Sequence, residues 1–513
     1  MPTTRDCVVG IDVGTTSAKA VVIDDRSRVL GEAAQEYPTR YVGPSGAEQD
    51  PRHWWKASCR CVRAALDAAG VPATAVAAVA VSSQAPSVVA LDARRQPLGP
   101  ALLWLDRRGE QACRDRAAEG DRVVAVTGNR LDPYYAAPKL AWLLDNQPGL
   151  RSLVDSVVFA AGYVVHELTG VLCADTGHAG LSLLYDLRAG RWSEELARLW
   201  NLRSGWLPPL ADPTEVVGSV RAEAAEATGL PRGTPVVAGL VDGAAASLES
   251  GVVAHGDVCE MTGQSTVVNA AVEASQASGL TGSLSVMPYV VPGRHLVFGS
   301  MVATGGILAW FRSRLGRGET FADLDELAAT ARPGAGGVLL LPYFLGERSP
   351  VWDSDARGAF VGMSLGTTRA DLVRAILEGS AYGLAHNLAE LASLGLRPPA
   401  LRVVGGGARG RTWNRIKADV TGLAVELPRQ SAGAPVGAAL AAASGVGLVD
   451  DLADAARERF SVAERIEPDP DRHADYQRRY RVYRELHPAL RTVHSMLAEL
   501  RDADLTSADG GGS

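Results

Sequence analysis

The alternation of two kinds of segment is the feature of this chain that most restricts its fold. Short runs rich in β-branched residues, such as CVVGIDV (7–13), AVAAVAVSS (75–83) and GTPVVAGLVD (233–242), alternate with longer Ala-, Leu- and Arg-rich segments. The longer segments, for example 371–391, carry apolar residues at helical spacing. The short runs predict buried strands and the long ones predict helices. Strands that alternate with helices predict an α/β fold.

The length and net charge of the chain limit the classes of partner that the protein can have. The chain has 513 residues and a formal net charge of −7, with no long run of Lys and Arg. It is long enough for two domains, and it lacks the positive field that would attract nucleic acid or an acidic membrane surface. A small-molecule partner is therefore favoured. The start MPTTRDC lacks the pattern of a secretory signal and no apolar stretch is long enough to span a bilayer, so we expect a cytoplasmic protein.

The six cysteines are scattered, and only Cys59 and Cys61 lie close together. This spacing matches neither a zinc site nor a disulfide framework. We expect reduced, mostly structural cysteines.

Two hairpin-like segments suggest how the chain is divided. The first part reads strand, tight turn, strand and then a helix around 50–70, which predicts a mixed sheet. The segment GDVCEMTGQSTVVNAAV (256–272) repeats the plan of strand, turn and strand, which suggests an internal duplication with one copy per half. We expect an N-terminal domain over 1–245, a C-terminal domain over 246–465, a helical extension over 466–505 and a disordered tail over 506–513.

Asp12 places a carboxylate in the apolar run VVGIDVGTTSAKAVVID (8–24). Backbone amides of the next turn would satisfy it in a purely structural role. The turn itself favours a functional role, because Gly14 permits close backbone approach and Thr15, Thr16 and Ser17 offer hydroxyl and amide donors to a phosphate chain. A carboxylate beside phosphates requires a cation between them, so this interpretation predicts Mg²⁺ at Asp12. The turn matches neither the Walker loop nor the dinucleotide-binding fingerprint.

Asp242 follows the strand TPVVAGLV and precedes an Ala-rich segment. One interpretation is a helix N-cap. The other is a general base, because α/β folds place reacting groups at the carboxyl ends of strands, and an alcohol attacking a γ-phosphate needs a carboxylate to accept its proton. The segment alone favours neither interpretation.

The glycine cluster GGGA (405–408) follows the strand ALRVV. It is either a tight strand-to-helix turn or a bare backbone surface for an adenine ring. In the second case, Asn414 is a candidate for a hydrogen bond to that ring.

A series of motifs carries a resemblance to a known family. They are, in chain order, GIDVGTTSAK, AEQDPRHWW, LLWLDRR, DPYYAAPKLAWLL, GLVDGAAAS, LLPYFLGERSPVWDSDARGAF, RAILEGSAYGL, GGGARGRTWNRIKADVTG and PVGAAL. Together they run from about residue 8 to 445, and the chain resembles the FGGY carbohydrate kinases of the actin-like ATPase superfamily, which include xylulokinase and glycerol kinase. The resemblance implies two ribonuclease-H-like domains around a central cleft, with sugar bound mainly by the first and ATP mainly by the second.

The resemblance also implies roles for single residues. Asp242 would be the general base, and Asp12 would act with Mg²⁺ and the phosphates. The phosphate turn would be Gly14, Thr15, Thr16 and Ser17, and the hairpin TGQS (262–265), with Thr262, Gly263 and Gln264, would be a second phosphate loop. The adenosine contacts would be Gly406, Gly407, Ala408 and Asn414.

The sugar site is also inferred from the resemblance. The segment SSQAPS (82–87), the WLD of 104–106, Arg108 and Tyr134 would line it. Trp104 would stack on the carbon skeleton, while Gln84, Asp106 and Tyr134 would bind hydroxyls. The structural alternatives are that Trp104 belongs to the core and that Asp106 pairs only with Arg107 or Arg108 at the surface, where such a pair contributes little.

Three departures from the family pattern bear on specificity. Glycerol kinases carry Arg-Glu after the residue that matches Gln84, and xylulokinases carry Met-His, whereas this chain has Ala85 and Pro86. Gln264 replaces the usual Thr of the second phosphate loop, and Thr367 stands where a His is usual. These changes leave the expected base and the magnesium carboxylate in place.

The resemblance thus predicts an ATP- and Mg²⁺-dependent kinase that phosphorylates a primary hydroxyl of a small sugar, most simply a pentulose such as D-xylulose. The alternatives are a kinase for another ketose or a linear polyol, or a catalytically idle member that binds sugar or nucleotide and regulates. An actin-like chaperone ATPase is disfavoured by the motifs typical of sugar kinases. A homodimer is the default expectation for the assembly.

Overall fold

The computed structural model describes residues 6–43, 45–279 and 282–509. It confirms the α/β fold with mixed sheets in two parts of the chain.

The strands, in chain order, are β1 (Cys7–Val13), β2 (Ser17–Asp24), β3 (Val29–Glu36), β4 (Arg40–Val42), β5 (Gly46–Gln49), β6 (Val76–Ser83), β7 (Val88–Leu91), β8 (Ala101–Leu102), β9 (Ser156–Phe159), β10 (Ala174–Asp175), β11 (Tyr185–Asp186), β12 (Arg191–Trp192), β13 (Leu210–Ala211), β14 (Val216–Ser219), β15 (Pro235–Val237), β16 (Leu240–Val241), β17 (Val258–Thr262), β18 (Thr266–Glu273), β19 (Ser285–Pro288), β20 (Arg294–Met301), β21 (Leu339–Leu341), β22 (Ala359–Val361), β23 (Ala400–Gly405), β24 (Ala424–Pro428) and β25 (Val462–Ile466).

The helices are α1 (Pro51–Ala69), α2 (Glu110–Arg114), α3 (Gly120–Thr127), α4 (Ala136–Asn146), α5 (Ala160–Thr169), α6 (Thr176–Gly180), α7 (Glu194–Leu199), α8 (Ala222–Thr228), α9 (Asp242–Glu249), α10 (Gly305–Arg314), α11 (Phe321–Thr330), α12 (Arg369–Ser393), α13 (Arg411–Thr421), α14 (Ala434–Gly445), α15 (Leu452–Arg459) and α16 (Pro470–Asp509).

The chain forms two compact units that interleave along the sequence. Unit 1 contains the chain up to Asp257, Ala271–Val297 and Gln430–Ser461. Unit 2 contains Val258–Ala270, Phe298–Arg429 and the chain from Val462 onward. These units describe packing, and the contiguous domains 1–245 and 246–465 stay a prediction.

The main sheet of unit 1 has the strand order β14-β15-β6-β1-β2-β3. The hairpin β1–β2 is antiparallel, while β1 and β6 are parallel, so the mixed sheet predicted from the sequence is confirmed. Every residue of β1 and of β6 is buried. Such runs are typical of strands covered on both faces. The covering elements include α1 and α14, which pack on this sheet.

In unit 2, the second predicted hairpin is also confirmed, because β17 and β18 pair in antiparallel register. Strand β23 lies parallel to β17 on its other side, with Thr262 opposite Gly405. The next strands outward are β24 and β25. The glycine cluster therefore begins at the end of a strand next to the hairpin turn.

Helix α16 runs from Pro470 to Asp509 and overlaps the helical extension predicted over 466–505. It includes residues 506–509, which the sequence assigned to a disordered tail, while the rest of that predicted tail, 510–513, lies outside the described residues. No helix in the described ranges is both long and apolar enough to cross a membrane. All six cysteines are buried and free, as expected.

A close approach between α14 and β1 gives a test of this packing. A Cβ added to Gly10 would lie 1.8 Å from the carbonyl oxygen of Pro435. We expect Gly10→Ala to destabilise the protein by about 1–3 kcal/mol or more, because neither backbone has room to move. Thermal unfolding measures the effect. The control is Gly99→Ala, where an added Cβ meets nothing within 4 Å; equal melting temperatures for the two variants would contradict the packing.

Candidate active site

The candidate catalytic carboxylates of unit 1 lie on strands that flank β6. Asp12 of β1 pairs with Ser82 of β6, and on the other side Leu240 of β16 pairs with the same serine. Two strand spacings place the backbones of Asp12 and Leu240 about 10 Å apart. Asp242 follows two residues later, at the carboxyl end of β16. This is the edge where α/β sheets bind ligands.

The carboxylate of Asp12 is buried, with 8% of the residue exposed. Its Oδ1 accepts a hydrogen bond of 2.8 Å from the hydroxyl of Ser82. A side-chain hydroxyl thus partners Asp12, rather than the turn amides considered from the sequence. Burial raises the pKa of Asp12 above its ordinary value, against the opposing effects of Ser82 and the charge of Lys19.

Asp242 is the first residue of α9, and Val241 is the N-cap. The N-cap interpretation of Asp242 is therefore wrong: its Oδ1 accepts from the amide of the next residue, Gly243, at 2.7 Å. The side chain is half-buried. Burial and the neighbouring charge of Asp12 both raise the pKa of Asp242. Because the charge of one carboxylate disfavours ionisation of the other, a bound cation or a proton is favoured at this point.

The turn between β1 and β2 is held in shape by hydrogen bonds. Its amide at Gly14 donates to the carbonyl of Ser17 at 3.0 Å. The hydroxyl of Tyr37 donates to the Gly14 carbonyl at 2.5 Å, and Gln49 donates to the Thr15 carbonyl at 2.6 Å. With its carbonyls engaged, the turn keeps a fixed conformation, which a pre-formed anion site requires.

Two of the predicted sugar residues bind this same turn. The indole Nε1 of Trp104 donates to the hydroxyl of Thr15 at 2.9 Å, and Nε2 of Gln84 donates to the Gly14 carbonyl at 3.2 Å. Gln84 is fully buried, and its Oε1 has no hydrogen-bond partner in the described structure. An unpaired buried acceptor is costly, so it is a strong candidate to receive a ligand hydroxyl. Trp104 is only partly buried, so it is not an interior core residue.

The other two predicted sugar residues are engaged within the protein. Tyr134 donates its hydroxyl to the carbonyl of Ala85 at 2.9 Å. Asp106 is fully buried and accepts from the Ala47 amide at 3.0 Å and from the guanidinium of Arg108, which also bridges to Glu48. Asp106 does pair with Arg108, as one alternative proposed, but this pair lies in the interior and not at the surface.

A buried group that sequence reasoning missed lies beside this edge. His178 of α6 shares a 2.5 Å hydrogen bond with Asp175 through Nδ1 and a 2.9 Å hydrogen bond with Ser83 through Nε2. Ser83 pairs with both Val13 and Val241, the residues next to the two carboxylates. The charge of His178 opposes the rise in the pKa of Asp242. Of these residues, the sequence pointed only to Ser83, as part of the segment SSQAPS (82–87).

The second candidate region is a cavity of about 1140 Å³ within unit 2. The hairpin turn, the start of α10, helix α11 and the glycine cluster line it, with Thr262, Gly263, Gln264, Gly305, Leu308, Thr320, Phe321, Asp325, Gly406, Gly407, Arg409 and Trp413 among the lining residues. The predicted second phosphate loop and the glycines predicted for adenosine therefore face one space. Its volume exceeds that of most ligand pockets, and its lining is mostly apolar with convergent polar groups.

Glycine is required where these elements meet. A Cβ on Gly407 would lie 2.6 Å from Cβ of Thr262, and a Cβ on Gly305 would lie 2.1 Å from the Gly263 carbonyl oxygen. Gln264, one of the departures, accepts from the Gly306 amide at 2.9 Å through its carbonyl. The hairpin turn is thereby fixed to the start of α10.

Two of the predicted adenosine residues lie outside the cavity lining. Asn414 is fully buried and donates to the Ala408 carbonyl at 2.8 Å, so it supports the glycine turn from behind. The sequence missed Asp325, whose carboxylate accepts from the amides of Thr412 and Trp413 at 2.8 and 3.1 Å. Thr367, the third departure, accepts from the Ser364 amide in a local turn.

A buried ion pair supports the hairpin from below. Lys417 Nζ lies 2.9 Å from Glu260 Oε2, and both side chains are at most 2% exposed. Glu260 accepts from the hydroxyl of Thr262, which also contacts Thr266. Partners that satisfy each other keep such a network rigid.

Comparison with known families decides the identity of the fold. The family model of the N-terminal domain of FGGY carbohydrate kinases matches residues 7–248, and the model of the C-terminal domain matches residues 261–446. The chain belongs to the FGGY family of carbohydrate kinases. As a member of that family it is an enzyme that phosphorylates a sugar with ATP as the phosphoryl donor, and it has the actin-like ATPase fold.

Individual relatives cover most of this FGGY kinase. A xylulose kinase of Lactococcus lactis is 30% identical over 503 residues, which are 96% of this chain and 99% of the relative. A glycerol kinase of Rhodospirillum centenum is 32% identical over 464 residues, which are 88% and 92% of the two chains. The crystal structure of a xylulose kinase from Rhodospirillum rubrum superimposes with a TM-score of 0.86 at 32% identity, covering 95% of this chain and all of the other.

The raised pKa of the two acids gives a stability prediction. In the unfolded chain each acid ionises near its ordinary value, whereas in the folded, ligand-free protein ionisation is disfavoured. The folded state therefore loses stability as the pH rises through the raised pKa values. We expect Asp12→Asn to melt a few degrees higher than the natural protein at pH 8, because the amide carries no buried charge.

The same comparison at about pH 4, where both acids are protonated when folded, should show little difference. Thermal unfolding without nucleotide or metal measures both points. A variant that melts lower than the natural protein at pH 8 would show that the Asp12 charge stabilises the fold.

Proposed function

We propose that this FGGY kinase transfers the γ-phosphoryl group of ATP to a primary hydroxyl of a small sugar, most simply a pentulose such as D-xylulose. The observation that carries the proposal is the position of Asp242, a half-buried carboxylate at the carboxyl end of β16 with a raised pKa. A carboxylate of higher pKa is a stronger proton acceptor, which suits it to activate a hydroxyl near neutral pH.

In this mechanism Asp242 takes the proton of the sugar hydroxyl as the oxygen attacks the γ-phosphorus in line. The bond from phosphorus to the β,γ-bridging oxygen breaks, and ADP leaves. The turn of Gly14, Thr15, Thr16 and Ser17 and the hairpin of Thr262, Gly263 and Gln264 supply donors to the phosphates. The protein forms no covalent intermediate.

The residues present fit a magnesium ion at Asp12. Asp12 is a buried carboxylate whose neighbour Asp242 is also acidic, and the described residues contain no cluster of three or more His, Cys, Asp or Glu that would form a complete protein cage. Mg²⁺ is usually held by one or two carboxylates together with water and substrate phosphates. When bound, it would neutralise charge on the transferring phosphoryl group. Asp12 would hold it, and Ser82 would orient Asp12.

The cavity of unit 2 would take the nucleotide. Gly406 and Gly407 offer bare backbone to a flat base, and Leu308, Phe321 and Trp413 add apolar surface. In this assignment Ala408 and Asn414 act indirectly, because their mutual hydrogen bond fixes the turn that carries those glycines.

The sugar would lie beside the turn of β1 and β2. Gln84 offers its unpaired Oε1 to a hydroxyl, and Trp104 would stack on carbon while it holds Thr15. Tyr134 and Asp106 would shape the pocket, the first through Ala85 and the second through the Arg108 network. The name of the Lactococcus lactis relative supports a pentulose.

A second candidate is a kinase for another ketose or a linear polyol. The glycerol kinase relative at 32% identity supports a polyol. Ala85 and Pro86 match neither the glycerol kinase nor the xylulokinase pattern, which disfavours glycerol itself and weakens the case for xylulose. A catalytically idle sugar- or nucleotide-binding member is the alternative from a different class. A cytoplasmic location and a homodimer stay predictions.

A substrate panel tests the proposal. ADP release would be measured with ATP and Mg²⁺ across pentuloses, hexuloses, aldoses, glycerol and longer polyols. We expect release that depends on added sugar and is strongest with a pentulose. A stronger response to another ketose or polyol would establish the second candidate, and ATP binding with no release across the panel would establish the idle member.

Asp242→Asn tests the base. The amide keeps the shape of the side chain but cannot accept a proton, so we expect turnover to fall about 10²–10⁴-fold while sugar binding persists. Stopped-time assays and sugar titrations by calorimetry measure the two quantities. The matched control is Asp67→Asn, at an exposed position of helix α1, with unchanged turnover expected. Near-normal turnover in Asp242→Asn would remove Asp242 from the mechanism.

A further inference from the structure

A second, smaller cavity of unit 2 is rich in arginine. It has a volume of about 340 Å³, and its lining includes Arg374, Arg411, Arg415 and Arg472 with Glu464 as the one carboxylate. Four guanidinium groups around one small space are unusual, because like charges repel and arginines otherwise spread over the surface. Of the four arginines, only Arg411 also lines the larger cavity, so the proposed nucleotide site does not account for the other three.

The deepest arginine forms the fixed wall. Arg374 is 7% exposed and donates to Glu378 at 2.7 Å, to Tyr476 at 2.9 Å and to the carbonyl of Ala331 at 3.1 Å. Its charge is balanced by Glu378, so it stabilises unit 2 rather than waiting for a ligand. It also contributes a buried, positively charged group to the lining of the cavity.

The outer arginines retain donors for a ligand. The guanidinium of Arg411, at the start of α13, makes no hydrogen bond or ion pair with the described residues. Arg415 donates Nη1 to the Glu467 carbonyl at 2.7 Å, which orients the guanidinium and leaves its other nitrogens available. Arg472 lies 3.7 Å from Asp419, a distance too long for a strong pair. These three side chains can turn towards the cavity at small cost.

Acidic side chains near the cavity orient the arginines but do not occupy the cavity. Asp419 and Asp469 stand near Arg472, each at 3.7 Å. Neither lines the cavity, whereas Glu464 does. The lining itself is therefore positive. Guanidinium groups match phosphate oxygens in pairs, which makes phosphate a better partner for this surface than a neutral polyol.

We propose that this cavity, with Arg411, Arg415 and Arg472, is a binding site for a small phosphate-bearing anion that regulates nucleotide binding. The volume of this cavity suits a pyrophosphate or a phosphorylated metabolite of a few carbons. Unlike the larger cavity, it is too small for a full nucleotide.

The two cavities are neighbours within unit 2. Ala329, Arg411 and Thr412 line both of them. A ligand that draws Arg411 into the small cavity removes a positive charge from the nucleotide cavity and adds negative charge beside it. The two ligands therefore weaken each other, and by linkage the effect is reciprocal. This coupling rests on the proposed nucleotide cavity, whereas anion binding by itself does not.

Direct binding is the first test. Calorimetry would follow inorganic pyrophosphate added to the full-length protein without Mg²⁺, once alone and once with a saturating non-hydrolysable ATP analogue. We expect one pyrophosphate that still binds with the analogue present, about fivefold more weakly. Pyrophosphate that is displaced completely by the analogue would belong to the nucleotide cavity and would overturn the proposal.

Variants locate the site. Arg415→Gln and Arg472→Gln, which do not line the nucleotide cavity, should each weaken pyrophosphate binding at least tenfold in the presence of the analogue. Arg397→Gln on the exposed surface of the same unit removes an equal charge and should change nothing. Equal weakening by all three would mean a non-specific charge effect and would refute the site.

Kinetics test the coupling. Pyrophosphate should raise the KM for ATP about fivefold without changing kcat at saturating ATP, and Arg415→Gln should lose this inhibition while it keeps its basal kcat. Retained inhibition in the variant would refute the coupling. If the protein shows no ATP-dependent turnover, the proposed function fails, and the binding experiment without nucleotide still decides whether the anion site exists.

Discussion

The hydrogen bond from Ser82 to Asp12 connects two central strands of unit 1 at the edge where the candidate catalytic carboxylates lie. It is formed in the interior, where a carboxylate is costly unless it is paired, and it fixes one acid at the edge where β16 delivers Asp242. The two strands that carry this pair are buried along their whole length, so the charge of Asp12 is poorly solvated. Ionisation of these two carboxylates is therefore costly in the ligand-free protein, which fits the proposed binding of a cation there.

The two candidate regions of the FGGY kinase are built in a similar way. In each, an antiparallel hairpin lies beside a parallel strand: β1–β2 beside β6, and β17–β18 beside β23. Each hairpin turn is fixed by polar side chains, Tyr37, Gln49, Gln84 and Trp104 in the first and the Glu260–Thr262 network in the second. A rigid turn presents its amides without reorganisation when phosphate arrives.

The sequence located the strands, both hairpins, Asp12 and Asp242, because apolar runs interrupted by a carboxylate or glycine are local signals. It could not place partners that meet only through folding. His178 lies far along the chain from Ser83, and Asp106, whose pairing with Arg108 the sequence did suggest, also accepts from the distant Ala47 amide. Asn414 shows a similar limit, since its spacing from the glycines did not reveal that its amide points to Ala408.

Asp242 is proposed to work as a base whose pKa is raised by burial and by Asp12. The most direct measurement is the pH dependence of the sugar-kinase rate at sub-saturating concentrations of both substrates. The pH would be varied from about 4.5 to 9, which covers the range in which such a group titrates. If Asp242 is the base, the rate will fall tenfold per pH unit below an apparent pKa well above that of an ordinary aspartate. A rate that stays level down to pH 4.5 would contradict it.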